Sequence, residues 1–135
     1  MKKLFFTYLF FAIALISNAQ IDKILGEWRT VDDKTGETTG YVVFYQNPDN
    51  GLYYAKTTRV FENGKELFDE KFIGMIVVKD FKLEDGMLVG GKLYEPHEDK
   101  EYYGKISYNA DNNTLTVRGS LDRRGWVGRS QTWFK

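Results

Sequence analysis

The chain has no cysteine, a single histidine and only two prolines in 135 residues. The missing cysteines exclude disulfides, thiolate metal sites, thiol catalysis and the lipid-bearing cysteine of a bacterial lipoprotein. The lone histidine, His97, lies in the charged run Glu95-Pro96-His97-Glu98-Asp99. Zinc sites need several nitrogen or sulfur ligands, so this run reads as a solvated hairpin loop and no metal is expected. No Ser-His-Asp set and no phosphate-cradling glycine loop is present. Among nineteen acidic residues no pair stands out for glycosidase chemistry. No catalytic residue and no cofactor is therefore assigned, and the reading leans away from an enzyme. Charge of one sign is lacking too, with 19 Lys and Arg against 19 Asp and Glu. Without a basic stripe, nucleic acid is not an expected partner.

There is one long apolar run, and it stands at the start. Lys2 and Lys3 precede Leu4 to Ile16, which only Thr7 interrupts, and the small residues of Ser17-Asn18-Ala19 follow. This is the layout of a secretory signal cleaved after Ala19. The thirteen-residue run is short against the roughly 20 residues that span a bilayer, so a membrane-integrated product is not expected. Residues 1–19 are read as signal peptide and 20–135 as one exported domain, periplasmic or secreted. Losing Lys2 and Lys3 leaves 17 cations against 19 acids, a net charge of −2. A chain of 116 residues without disulfides still buries enough apolar surface to fold as one unit.

Aromatic residues are plentiful, 16% of the whole chain, and most of them lie beyond residue 19. Helical periodicity is scarce. Asn50-Gly51, Asn63-Gly64 and Asp85-Gly86 are dipeptides that tolerate positive φ and close tight hairpins. Between such breaks the β-branched and aromatic runs predict about eight strands, at 26–31, 40–46, 52–61, 74–81, 87–94, 101–109, 114–120 and 127–134. Residues 65–72 fit a strand, a helical turn or a loop. Residues 21–25 predict a short helical turn plugging one end. Short connections favour an all-β, single antiparallel up-and-down barrel, which leaves no open edge. Period-2 spacing groups Tyr102, Gly104, Ile106 and Tyr108 on one face, and Leu115, Val117, Gly119 and Leu121 on another. These sets point inward in a water-exposed barrel and outward in a membrane barrel. The strands are at or below the roughly 9–11 residues that a membrane strand needs, which favours the inward reading.

Gly26-Glu27-Trp28 opens the first strand directly after the helical turn. This start resembles the lipocalin-like barrels. The resemblance implies that Gly26 and Trp28 form a barrel plug, with a basic residue of the last strand, here Arg129, stacked over the indole. A broader likeness covers nearly the whole exported part. It rests on Gly26-Glu27-Trp28-Arg29-Thr30, on Gly90-Gly91-Lys92-Leu93-Tyr94-Glu95-Pro96 with Lys100 and Tyr102, on Leu115-Thr116-Val117-Arg118-Gly119, and on Gly128-Arg129-Ser130-Gln131-Thr132-Trp133. In these blocks the chain resembles the bacterial family called domain of unknown function 2147. The resemblance implies export and a lipocalin-like barrel. It brings no established activity.

Two function classes follow. In the first, the barrel binds one small amphiphilic or hydrophobic ligand. Arg129, Gln131 and Trp133 share one strand face, and with Arg118 and Tyr102 they are the candidate ligand-binding residues. An arginine there would meet an acidic head group bidentately. Arg118 sits on the opposite parity to Leu115, Val117 and Gly119, which places it outside if those three are core. In the second class the interior is filled and the protein acts as a structural or interaction module of the cell envelope. That alternative predicts no cavity and an exposed aromatic patch around Trp126 in Arg123-Arg124-Gly125-Trp126.

Overall fold

The structure is a computed structural model describing residues 21–68 and 70–135. The signal segment expected at 1–19 lies outside the described residues. The chain forms β1 (Gly26–Val31), β2 (Thr38–Gln46), β3 (Tyr53–Glu62), β4 (Lys65–Leu67), β5 (Ile76–Glu84), β6 (Met87–Glu95), β7 (Lys100–Asn109), β8 (Thr114–Ser120) and β9 (Gly128–Phe134). Every pairing is antiparallel. The order β2-β1-β9-β8-β7-β6-β5-β3, closed by β2 on β3, is an eight-stranded up-and-down barrel. The unassigned stretch after residue 64 supplies β4, a three-residue flap paired only with β3.

Local chemistry accounts for the tight hairpins. Asn63 (φ 51°) with Gly64 (φ 79°), and Asp85 (φ 52°) with Gly86 (φ 77°), put both central residues at positive φ. That is the type I′ backbone, whose twist matches the strands it joins.

The inward face is the apolar one. Ile24, Trp28, Phe81, Leu88, Ile106 and Leu115 are fully buried. Cross-strand partners Ile106 with Val117, Val117 with Gln131 and Leu115 with Trp133 carry that face across β7, β8 and β9. Lys56, Lys79, Lys82 and Lys105 are exposed on the outside, the reverse of a lipid-facing band. No helix among the described residues is long and apolar enough to cross a membrane.

One end is closed. Residues 21–24 form a helical turn with Ile21 and Ile24 buried, and the Trp28 indole donates to the Ile24 carbonyl at 2.7 Å. The cation over the Trp28 ring is the Lys135 ammonium, 4.6 Å from the centroid, and not Arg129. Strand direction explains this placement. β1 leaves the closed end at Gly26, and antiparallel β9 reaches that end only at Phe134, opposite Arg29. Arg129 is left at the other end of its strand, facing Gly119.

Glycines of β6 and β7 have a packing role. A Cβ at Gly91 would lie 2.3 Å from Phe81 Cδ1, and one at Gly104 would lie 2.5 Å from Phe81 Cζ. The Phe81 ring thus lies flat across β6 and β7, in space only glycine leaves open. Gly90, at φ 79°, sits where the β6–β7 register shifts. This is a bulge that an L side chain would strain.

Candidate functional site

Above this packed layer the barrel opens. A cavity of about 940 Å³ lies at the end away from the helical turn, bounded by Val42, Val60, Val77, Leu93, Val117 and Trp133. Its mouth is framed by the β1–β2, β6–β7 and β8–β9 loops and the strand ends beside them, which bring Asp33, Lys34, Glu95, Glu98, Lys100 and Arg129 to the rim. The volume falls within the roughly 300–1,000 Å³ range of small-molecule sites, and the apolar wall beneath a polar rim is their usual make-up.

Four of the five residues expected at a ligand site line this cavity. Arg129, Gln131 and Trp133 step down β9 from rim to floor, and Tyr102 faces them from β7. Arg129 is 72% exposed along its side chain and pairs with Asp33, Nε to Oδ2 at 3.3 Å. Gln131 accepts the indole hydrogen of Trp133 at 3.2 Å, which orients its amide. Tyr102 donates to Glu98 at 2.9 Å. That bond to a carboxylate pushes the phenol above its ordinary pKa.

Arg118 is the exception. Its Nε donates to the Gly125 carbonyl at 2.8 Å and its Nη1 approaches Ser130 Oγ at 3.4 Å. It lies on the outer face of β8, bracing the β8–β9 loop. The opposite parity of Leu115 and Val117 requires this placement.

The wider rim holds residues whose part spacing does not reveal. Phe72 meets His97 edge-on with centroids 5.0 Å apart, joining the β4–β5 connection to the β6–β7 loop. Leu121 and Val127 line the mouth yet stand 63% and 59% exposed. Asp32 accepts the backbone N–H groups of Lys34 and Thr35 at 2.8 and 2.9 Å, which holds its carboxyl below the ordinary range. No group of three or more metal-ligating side chains occurs among the described residues.

A closed eight-stranded barrel, plugged at one end and hollow at the other, defines the lipocalin-like class. A solved structure titled "Protein HP1028 from the human pathogen Helicobacter pylori belongs to the lipocalin family" matches with a TM-score of 0.64 at 23% identity, covering 82% of this chain and 81% of that one. The likeness establishes the shared fold. The family model described as "Uncharacterized protein conserved in bacteria (DUF2147)" matches residues 26–135, and the chain belongs to that family. No curated protein matches the chain.

Proposed function

We propose that the chain is exported, loses residues 1–19 after Ala19, and carries one small amphiphile in the open half of its barrel. The observation behind the carrier part is the cavity of about 940 Å³ left above the Phe81 layer, whereas export rests on the Lys2–Ala19 sequence layout. A filled interior would have been the mark of a purely structural barrel. In this reading the apolar part of the ligand lies against Val42, Val60, Val117 and Trp133. Its polar end sits among Tyr102, Gln131 and Arg129. An acidic head group would draw Arg129 from Asp33, exchanging a solvent-exposed ion pair of little net worth for a charge-assisted contact at the rim.

Native mass spectrometry tests this on protein exported by its own N-terminal segment and purified without detergent. The expected result is a chain beginning at Gln20 with a bound mass that leaves on denaturation. A retained N-terminus would overturn the export assignment. A bare chain that also fails to take up a saturated fatty acid or a lysophospholipid would overturn the carrier reading.

One observation favours the surface-acting reading alongside it: Trp126 is 77% exposed, as expected of an interaction module. A cavity and an exposed Trp126 were opposing expectations, and both occur at the same end of the barrel.

A further inference from the structure

The β8–β9 connection, residues 121–127, is a built tongue and not a slack loop. Leu121 N donates to Val127 O at 2.8 Å and Gly125 N to Asp122 O at 3.2 Å. The Asp122 carboxylate accepts Trp126 N at 3.1 Å and Val127 N at 2.8 Å, one on each oxygen. From outside, Arg118 Nε ties down the Gly125 carbonyl at 2.8 Å. Ser120 Oγ donates to the Asp122 carbonyl at 2.7 Å, and Gly125 takes the left-handed turn at φ 82°. All this order holds apolar side chains out in water. Leu121, Trp126 and Val127 are 63%, 77% and 59% exposed, so the conformational cost of presenting them to a partner is already met in the fold.

The charge beside them has one sign. Arg123 and Arg124 lie within the tongue, Arg123 over the Tyr103 ring of β7 at 5.7 Å, and its single acid, Asp122, accepts from backbone amides. Arg124 lies over the Trp126 ring, 5.7 Å from the centroid. A convex projection carrying an indole, two aliphatic side chains and two guanidinium groups has the chemistry of a bilayer interface, where indoles settle at head-group depth and arginines meet anionic lipid. Leu121 and Val127 also line the cavity mouth, so whatever the tongue touches lies at the entrance.

We propose that the β8–β9 tongue docks the open end of the barrel onto an anionic phospholipid surface, from which or to which an amphiphile passes through the adjoining mouth. The transfer role rests on the carrier reading above, whereas the docking does not. The acids of the neighbouring rim loops, Asp32, Asp33, Glu95, Glu98 and Asp99, oppose flat contact with such a surface. The barrel therefore leans on the tongue, and attachment is weak, reversible and salt-sensitive.

The test is co-sedimentation of the full chain, as the cell produces it, with protein-free vesicles of phosphatidylethanolamine and phosphatidylglycerol, against phosphatidylcholine alone. Its N-terminus is read by intact mass. Parent and variants are prepared identically, so that residues outside the barrel contribute equally. Trp126→Ser is expected to weaken binding about tenfold, from the burial energy of one large aromatic side chain. The pair Arg123→Glu and Arg124→Glu should abolish the preference for phosphatidylglycerol. Trp28 and Trp133 are buried, so a blue shift in emission on vesicles should vanish in Trp126→Phe while sedimentation persists. Equal binding by Trp126→Ser and parent overturns the proposal. So does no binding to either vesicle, and so does capture only on vesicles bearing envelope proteins, which would assign the tongue to a protein partner. A bound amphiphile without vesicle binding removes the docking alone. Vesicle binding by a barrel that takes up neither a saturated fatty acid nor a lysophospholipid removes the carrier reading alone.

Discussion

At the scale of single residues, the clearest dependence is between glycines and one ring. Gly91 and Gly104 both leave space for Phe81, but their surroundings differ. The three atoms nearest a Cβ at Gly104 belong to the side chains of Phe81 and Leu93, whereas one at Gly91 would also lie 2.4 Å from the Lys79 carbonyl oxygen. Gly104→Ala is expected to cost about 1–3 kcal/mol by overpacking, and Phe81→Leu should recover a good part of it in a double-mutant cycle. The same Phe81→Leu change should do little for Gly91→Ala, because a sheet carbonyl cannot turn aside. Urea denaturation of the single and double variants decides this, and equal rescue at both glycines would refute it.

The two basic residues of β9 and the chain end also separate at this scale. Lys135→Met keeps the aliphatic stem near Trp28 but removes the cation. The expected loss is about 0.5–2 kcal/mol, read as a lowered denaturation midpoint. Burial pulls the Lys135 pKa below that of an ordinary lysine, which opposes the ring's pull on the charged form and argues for the lower half of that range. Arg129→Ala, at an exposed rim position, should leave the midpoint unchanged and weaken binding of an acidic amphiphile. If instead Arg129→Ala unfolds the barrel, Arg129 is structural after all.

At the scale of elements, the β8–β9 tongue depends on one carboxylate. Backbone N–H groups of Val127 and Trp126 hold Asp122 below its ordinary pKa. A depressed folded value means that the contribution is fully present above the unfolded carboxylate range, near about 4. It is lost as pH falls through the lower folded value. The Trp126 and Val127 amide resonances should therefore shift together on acidification below about pH 4, before the barrel resonances do. In Asp122→Ala these two amides should resemble their acid form at neutral pH. Unchanged amides in that variant would sink the assignment.

Elements are also where sequence legibility can be judged. Alternation placed the strands well because an inward apolar face imposes a period of two. Asn63-Gly64 and Asp85-Gly86 marked their turns because few residues tolerate two successive positive φ values. Residues 65–72 stayed open because β4 pairs with one neighbour only and carries no buried face to read. β5 runs on to Glu84, past the expected Phe81. Asp80 absorbs a positive φ of 62° inside the strand while its carboxylate accepts the Tyr54 hydroxyl at 2.6 Å, and no local pattern announces such a kink. For the site, parity put Arg129, Gln131 and Trp133 on one face and set Arg118 on the opposite one, although Arg118 was still counted among the ligand-site candidates. Which end of the barrel each residue occupies was not legible. That follows from strand direction and from the last residue of the chain, and it moved the cation over Trp28 from Arg129 to Lys135.

At the scale of the whole molecule, the barrel divides into a solid half and a hollow half, and Val117 stands at the boundary. It is 3% exposed, packs across from Ile106 and Gln131, and forms part of the cavity wall. A large side chain there would have to pass packed neighbours before reaching the cavity, so Val117→Trp is expected to fold with about 1–3 kcal/mol lost to overpacking and to fill part of the site. A ligand that binds only the folded state raises stability by about 2.7 kcal/mol at one hundred times its dissociation constant. The parent should show such a rise with a saturated fatty acid, and Val117→Trp should show none. A variant that unfolds would mean the wall is as tightly packed as the floor. A variant that keeps the full ligand-dependent rise would mean that the amphiphile binds elsewhere, most simply on the exposed tongue. The hollow half would then be a by-product of barrel closure and not a site.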